Sequence, residues 1–301
     1  MNLHALRLFY TVAQAGSVTR AAEELLISQP AVTAQIRNLE KELGLPLFET
    51  QGRGIRLSAA GDVLQAYAER LFSLEARMEQ AMADYRTGTA GRLRLTATSL
   101  PAGRLLPRWM AEFKTRHPAL ELVLDTAGSA EAVERLLRHE ADIAFIGGGS
   151  PLPSEIAQEV LFEDPFLFIV PAGHPFAGAT VTMDRMLTIP FVMREQGSSA
   201  REMLFAYCRT KGMAPPRVGL EFNGMNETIR AVAAGYGAAL MSTLEAVDYL
   251  MRGEVARVDV ADVRFSHPIR ICTLAEGPLG PAAAPFLSFV REQKPLLGAN
   301  G

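Results

Sequence analysis

Apolar positions recur with helical spacing along the first sixty residues. Leu6, Phe9, Tyr10 and Ala13 share one helical face, and Gly16 closes that helix. Ser17 is placed to cap the next helix, its hydroxyl accepting an orphan N–H of the first turn. Val18, Ala21, Ala22 and Leu25 follow at i, i+3, i+4, i+7, and the two small alanines allow another helix to approach closely. After the short link Leu26–Ile27, Ser28 is a second N-cap, and Pro30 sits just inside the helix start, where a missing N–H costs nothing. Val32, Ile36, Leu39 and Leu43 form a buried face, Gln29, Thr33 and Arg37 the opposite one, and Gly44 stops the helix.

From Ser58 few helix breakers occur until Gly88. Leu64, Leu71, Met78 and Tyr85 are spaced seven apart, and Tyr67, Leu74 and Ala81 fall three after the first three of them. That is an a/d seam over three heptads. At 1.5 Å per residue the span 60–85 is roughly 39 Å long. Such a stripe either folds back on its own domain or pairs with a second copy. Thr87-Gly-Thr-Ala-Gly91 is a turn-rich hinge and the natural domain boundary. Beyond it, short apolar runs alternate with helical patterns. Strands are expected at 93–97, 120–124, 143–146, 166–170, 191–193, 218–222, 238–241 and 269–274. Helices are expected at 105–116, 130–140, 199–211, 227–234 and 245–252. This alternation predicts parallel α/β sheets with crossover helices, and the strand count predicts two lobes.

Composition narrows the classes. With 49% apolar and 21% charged residues over 301 positions, the chain is a folded globular protein of about two domains. No apolar run reaches the ~18 residues of a membrane span, and no basic region followed by an apolar core opens the chain, so the cytoplasm is the expected compartment and no membrane partner is expected. Two cysteines, Cys208 and Cys272, make no disulfide framework. The net charge of −3 argues by itself against a nucleic-acid binder; residues 1–60 hold six Lys/Arg and five Asp/Glu, so DNA binding must rest on the local placement of a few cations.

The second and third helices supply that placement. Two helices joined by a short turn, the second with a polar face, match a helix-turn-helix. Gln29 can pair with adenine, Thr33 can meet a thymine methyl or a phosphate, and Arg37 can hold phosphate or guanine. In Gln51-Gly-Arg-Gly-Ile-Arg-Leu57, Arg53 and Arg56 alternate as in a β-wing that reaches a DNA backbone or minor groove. A plain three-helix domain with an exposed hairpin would carry the same pattern.

One run decides between them: Leu8-Phe9, Ala13, Gly16-Ser17-Val18-Thr19-Arg20-Ala21-Ala22, Leu25, Ser28-Gln29-Pro30-Ala31-Val32-Thr33, Ile36, Leu39-Glu40, Leu43-Gly44, Leu47-Phe48, Leu57-Ser58 and Ala60-Gly61. It resembles the N-terminal domain of LysR-type transcriptional regulators. The resemblance implies an α/β protein with an all-α winged helix-turn-helix at 1–58 and a linker and dimerisation helix at 59–88. A two-lobed effector domain similar to periplasmic solute-binding proteins would fill 92–301, with lobe 1 at 92–162 and 267–301 and lobe 2 at 163–266. Ser17, Ser28, Gln29, Pro30, Thr33, Arg37, Arg53 and Arg56 become the expected DNA contacts, and Leu64, Tyr67, Leu71, Leu74, Met78 and Tyr85 the dimer seam. Where the family often carries arginine, this chain has Ala34 and Thr50, which shifts weight onto Arg37, Arg53 and Arg56.

In open α/β sheets ligands bind at the carboxyl ends of strands. The polar loops there hold Thr98, Ser99 and Leu100, then Thr126 and Ser129, then Gly147, then Arg194, Ser198 and Ser199, with Asn223 beside a further helix start. Helix N-termini with hydroxyls favour an anion, and Arg194 can add a charge-assisted bond. A small carboxylate or other anion between the lobes is the expected effector. Each Ser or Thr alone also reads as a routine N-cap.

Other constellations carry less. His117, His174 and His267 each precede proline at loop entries and share no face, and no His/Cys/Asp cluster has ligand spacing, so neither metal nor cofactor is expected. No nucleophile elbow, P-loop or dinucleotide fingerprint occurs, and an enzyme is not expected. The expectation is a transcription factor that binds double-stranded operator DNA as a homodimer or homotetramer, takes a small effector, and has RNA polymerase as a further candidate partner. A solute-binding protein and a small α/β enzyme are the alternatives.

Overall fold

The computed structural model describes residues 2–51, 54–87, 91–261, 263–277 and 279–298. The chain opens with α1 (Leu3–Ala15), α2 (Val18–Glu24) and α3 (Gln29–Leu43), then the hairpin β1 (Phe48–Gln51) and β2 (Gly54–Leu57), then the long α4 (Ala59–Thr87). There follow β3 (Arg92–Ala97), α5 (Ser99–Arg104), α6 (Leu106–Arg116), β4 (Glu121–Thr126), α7 (Ser129–Leu137), β5 (Ile143–Gly147) and β6 (Ile156–Pro171). Next come β7 (Thr180–Val181), α8 (Met183–Met186), β8 (Phe191–Arg194), α9 (Ser199–Lys211), β9 (Val218–Phe222), α10 (Met225–Ala233), β10 (Ala239–Ser242), α11 (Thr243–Met251) and β11 (Val255–Val260). β12 (Phe265–Leu274) and α12 (Ala283–Gly298) close the chain. Two compact units result: residues 1–89 with the segment 137–140, and residues 90–136 with 141–301.

In the first unit the caps lie where the sequence puts them. The Ser17 hydroxyl accepts from the Arg20 N–H and the Ser28 hydroxyl from the Ala31 N–H, each at 3.4 Å. Gly16 and Gly44 take the left-handed conformation that ends α1 and α3. Phe9, Leu39, Leu47 and Ala68 form one core and Val12, Ala21, Ala22, Val32 and Ile36 another. The alanines of α2 are fully enclosed, which is what lets α3 come close.

α4 is joined to this core at its first turn. The Ser58 hydroxyl donates to the Pro46 carbonyl at 2.6 Å and accepts from the Gly61 N–H at 3.0 Å. A Cβ on Gly61 would stand 2.1 Å from the Leu47 carbonyl oxygen. Along α4, Ala60, Leu64, Ala68 and Phe72 face the helical core, while Tyr67, Leu71, Leu74 and Met78 are exposed. Leu64, expected in the dimer seam, is therefore turned inward: four-residue steps from Ala60 carry it onto the packed face. The side chain of Tyr85, also expected in the seam, lies outside the described residues, as does the whole of Arg53.

The second unit holds a sheet of order β4-β3-β5-β12-β6-β11-β7, with β10 also on β6, and a separate pair β8-β9. β3 pairs in parallel with β4 and β5, and β8 with β9, as βα alternation requires. β6 and β12 depart from the all-parallel expectation: they pair antiparallel from Ile156↔Leu274 to Phe166↔Phe265. Their first-lobe halves, with Leu161, Ile269 and Ile271, join a core that contains Trp109, Phe113, Phe145 and Phe286. Phe168 and Val170 of β6 join the second-lobe core with Phe191, Leu204 and Val258. Both strands thus run through both lobes. The expected helix 105–116 is found as α6, with Pro107 in its first turn. α5, β7, α8, β11 and α12 have no counterpart among the expected elements. Both thiols are buried and protonated; burial pushes Cys272 up to about 11.

Gly61→Ala forces the start of α4 off the Leu47 carbonyl. It is expected to cost about 1–3 kcal/mol, read as an earlier first transition in urea unfolding followed by circular dichroism; an unchanged transition would contradict this packing.

Candidate functional site

Two surfaces carry polar chemistry. The first is the outer face of α2 and α3. Ser28, Gln29, Pro30 and Arg37 are exposed and Thr33 is half-buried. The Thr33 hydroxyl donates to the Gln29 carbonyl at 3.0 Å. The Thr19 hydroxyl stands 3.4 Å from Gln29 Oε1, so the turn brings two polar side chains together at the start of α3. Ser17 sits one helix away with its hydroxyl committed to the α2 cap. Arg56 faces Glu49 across the hairpin register and donates to its carboxylate at 3.0 and 2.6 Å. That pair is exposed and worth well under ~1 kcal/mol, so a phosphate can take the guanidinium over.

The second is a cavity of about 180 Å³ in the α/β unit. The first turns of α7, α9, α10 and α11 meet there. Thr98, Ser99, Leu100, Ser129 and Gly147 line it from one lobe, and Arg194, Ser198 and Ser199 from the other. The Thr98 hydroxyl accepts from the Gly147 N–H at 2.9 Å and so ties the ends of β3 and β5 together. Ser198, the N-cap of α9, makes no capping bond, and its buried hydroxyl has no partner among the described residues.

Two expected members are not in this cavity. Thr126 is exposed at the last position of β4, and the chain enters the cavity only with Ala127, Gly128 and Ser129. Asn223 lines a neighbouring cavity of about 530 Å³, on the far side of Arg194, Met225 and Glu245, which border both.

Arg194 is not a free cation. Its Nε and Nη2 each donate to the Glu195 carboxylate at 2.7 Å. His267 also lines the cavity, and Asp164 stands opposite it across β12 and β6, with Nε2 to Oδ2 at 3.1 Å. Asp164 is wholly buried, and the His267 ring meets Phe166 edge-on, centroids 4.6 Å apart. Glu245 is buried at the third position of α11, after the N-cap Ser242, the arrangement of a capping box. Burial, with the Asp164 charge behind it, pushes the Glu245 carboxyl up to about 8, against the pull of Arg194 and Arg104.

Sequence reasoning missed His267, Asp164, Glu245 and Phe166. The Ser242-x-x-Glu245 spacing was the available signal for one of them; the His267–Asp164 pair depends on strand register and leaves no local trace.

Comparison with known proteins identifies the family of both parts of the chain. Residues 3–62 match the model of the bacterial regulatory helix-turn-helix protein, lysR family, and residues 86–295 match the LysR substrate binding domain. The chain belongs to the LysR family of transcriptional regulators. Among its relatives, the RuBisCO operon transcriptional regulator of Allochromatium vinosum is 31% identical over 96% of this chain and 95% of that protein. The transcriptional regulator CbbR of Rhizobium meliloti is 34% identical over 90% of this chain and 85% of its own length. These relatives are named as regulators, not as enzymes. Full-length CbnR, solved with its target DNA, has the same fold at a TM-score of 0.67, with 24% identity and coverage of 97% of this chain and 99% of that one. The regulatory domain of Synechocystis CcmR, solved in complex with 2-PG, matches at 0.62, with 22% identity and coverage of 67% of this chain and 97% of that one.

The folded protein holds the Glu245 proton to about pH 8, whereas the ordinary carboxyl releases it near 4.5. Its contribution to stability is therefore whole below about 4.5, declines as pH rises through that interval, and is lost above about 8. Glu245→Gln is expected to flatten this fall. Melting temperatures at pH 5, 7 and 9 check it, and parallel pH profiles for the two proteins would contradict it.

Proposed function

We propose that the exposed face of α3 reads operator DNA while the cavity in the α/β unit binds a small anionic effector. The observation that carries the DNA half is the outward set Ser28, Gln29, Pro30, Thr33 and Arg37 on a helix whose other face is the domain core. Gln29 and Thr33 would approach base edges, with Ser17, Arg37, Arg53 and Arg56 on the phosphates. The division into a DNA-binding domain at 1–58, a linker helix at 59–88 and an effector domain beyond 92 is part of this reading, as are RNA polymerase as a partner and a cytoplasmic setting.

The effector half rests on the helix starts around the cavity and the unpartnered Ser198 hydroxyl. The 2-PG held by the similar CcmR domain supports a small anion. At about 30 Å³ per water, the cavity has room for a metabolite of a few carbons. The exposed stripe Tyr67, Leu71, Leu74 and Met78 supports pairing of α4 with a second copy, in a homodimer or a homotetramer. Lobe closure on the effector would alter the DNA affinity, and DNA would alter effector affinity by the same factor.

Mobility shifts on operator DNA over a salt series test the DNA half. A steep negative log–log slope is expected. Gln29→Ala should lower discrimination at one base pair by ~1–3 kcal/mol, whereas Arg37→Ala should weaken binding to all sequences alike. Equal loss on operator and random DNA for Gln29→Ala would contradict its role. Leu74→Glu with Met78→Glu should lower the mass seen in sedimentation toward the monomer; an unchanged mass would exclude this stripe from the interface.

A further inference from the structure

Beside the effector cavity the two lobes meet through α5 and α11. Both helices begin at the cavity, which Ser99 and Leu100 line from the first lobe and Ser242 and Glu245 from the second. Leu100, Ala102 and the following Leu105 seat α5 in the first-lobe core. Ala246 and Tyr249 seat α11 against Ile169 and Met241 of the second lobe. Leu244, in the first turn of α11, also packs on the first-lobe core, so the helices touch on an apolar contact near the cavity. Further along they meet on a charge. Arg104, the last residue of α5, donates from Nη1 to Asp248 Oδ2 at 2.6 Å and from Nη2 to the Glu245 carbonyl oxygen at 2.9 Å. One guanidinium of the first lobe therefore grips a full turn of a second-lobe helix.

Arg104 and Asp248 are 144 residues apart, so closure of the lobes, not local folding, brings them together. Their side chains are 30% and 42% exposed, on the wall of the neighbouring cavity. Water can take over both charges when the lobes part, and the open state leaves no ion buried without a partner. Arg252, one turn beyond Asp248 on the same helix, is turned to Glu254 and lies over the Tyr249 ring, which leaves Asp248 to Arg104. We propose that Arg104 and Asp248 form a latch that holds the lobes closed in the absence of effector and so sets how often the effector cavity opens. The inference rests on the reading of that cavity as a cleft between two lobes and adds the residues that govern its opening.

Hydrogen exchange of the full-length protein without added ligand, followed by mass spectrometry, tests the latch. Arg104→Met keeps the aliphatic stem and removes the charge. Segments 98–104, 194–200 and 242–248, which border the cavity, are expected to exchange about three- to tenfold faster, the scale of one partly exposed ion pair with a charge-assisted hydrogen bond beside it. Amides in the two lobe cores keep their rates. Asp248→Ala should give a smaller acceleration, because the bond to the Glu245 carbonyl survives, and the double variant should exchange as Arg104→Met alone does. Salt at about 1 M, where the screening length is about 3 Å, should speed exchange in the wild type and leave Arg104→Met unchanged. Unaltered exchange around the cavity in Arg104→Met would overturn the latch and leave the anion-binding cavity as it stands. Acceleration spread equally through both lobe cores, or additive in the double variant, would overturn it in favour of an ordinary stabilising contact.

Discussion

The antiparallel pairing of β6 with β12 is the constraint on which the effector unit depends. Among the described residues, these two strands place side chains in the cores of both lobes. A register slip of one residue would turn every side chain on them to the opposite face. It would remove Leu161 and Ile269 from one core and Phe168 and Val170 from the other at once. The same register sets Asp164 opposite His267 where the strands pass the cavity.

The charges around the cavity are arranged with little to spare. Arg194 is held by Glu195, and Asp164 is buried beside His267. An ionised Glu245 would add a further negative charge to a poorly screened space. Burial opposes that ionisation and pushes the Glu245 carboxyl up to about 8. An anion bound here would be held by preorganised N–H groups and by a guanidinium already oriented by its neighbour, not by a surplus of positive charge. The anionic composition of the whole chain is compatible with an anionic effector for the same reason.

The sequence made the first unit legible almost to the residue, because its signals are local. Ser17 and Ser28 cap, Gly16 and Gly44 terminate, and Pro30 stands inside a first turn, each by short-range chemistry. The α/β unit was legible as an architecture and at α9, whose bounds follow from Ser198 and Gly212. It was not legible along β6, where Gln158, Glu159, Glu163 and Asp164 interrupt the apolar pattern on a strand that passes between lobes. β11 was missed for a like reason, its Arg257 and Asp259 reading as a polar loop. The cavity's helix starts could be found by asking which polar loops follow strands. His267 could not, since its meaning lies in a partner 103 residues away across a ladder.

α4 shows how one repeat serves two surfaces. A seven-residue period in a straight helix of 3.6 residues per turn drifts by only about 20° per heptad, so Leu64 and Leu71 lie nearly one above the other and differ in how far the helical core covers α4. At the start of α4, Leu64 lies with Ala60, Ala68 and Phe72 on the helical core; one and two heptads on, Leu71 and Met78 are exposed, with Tyr67 and Leu74 beside them. The N-terminal turns are therefore spoken for by the chain's own fold, and only the later turns remain for another helix. Four large apolar side chains left in water along one face are more than a monomer ordinarily tolerates. Their removal from water, at about 25 cal/mol per Å², is the driving force that would set two reading heads at a fixed separation on the DNA.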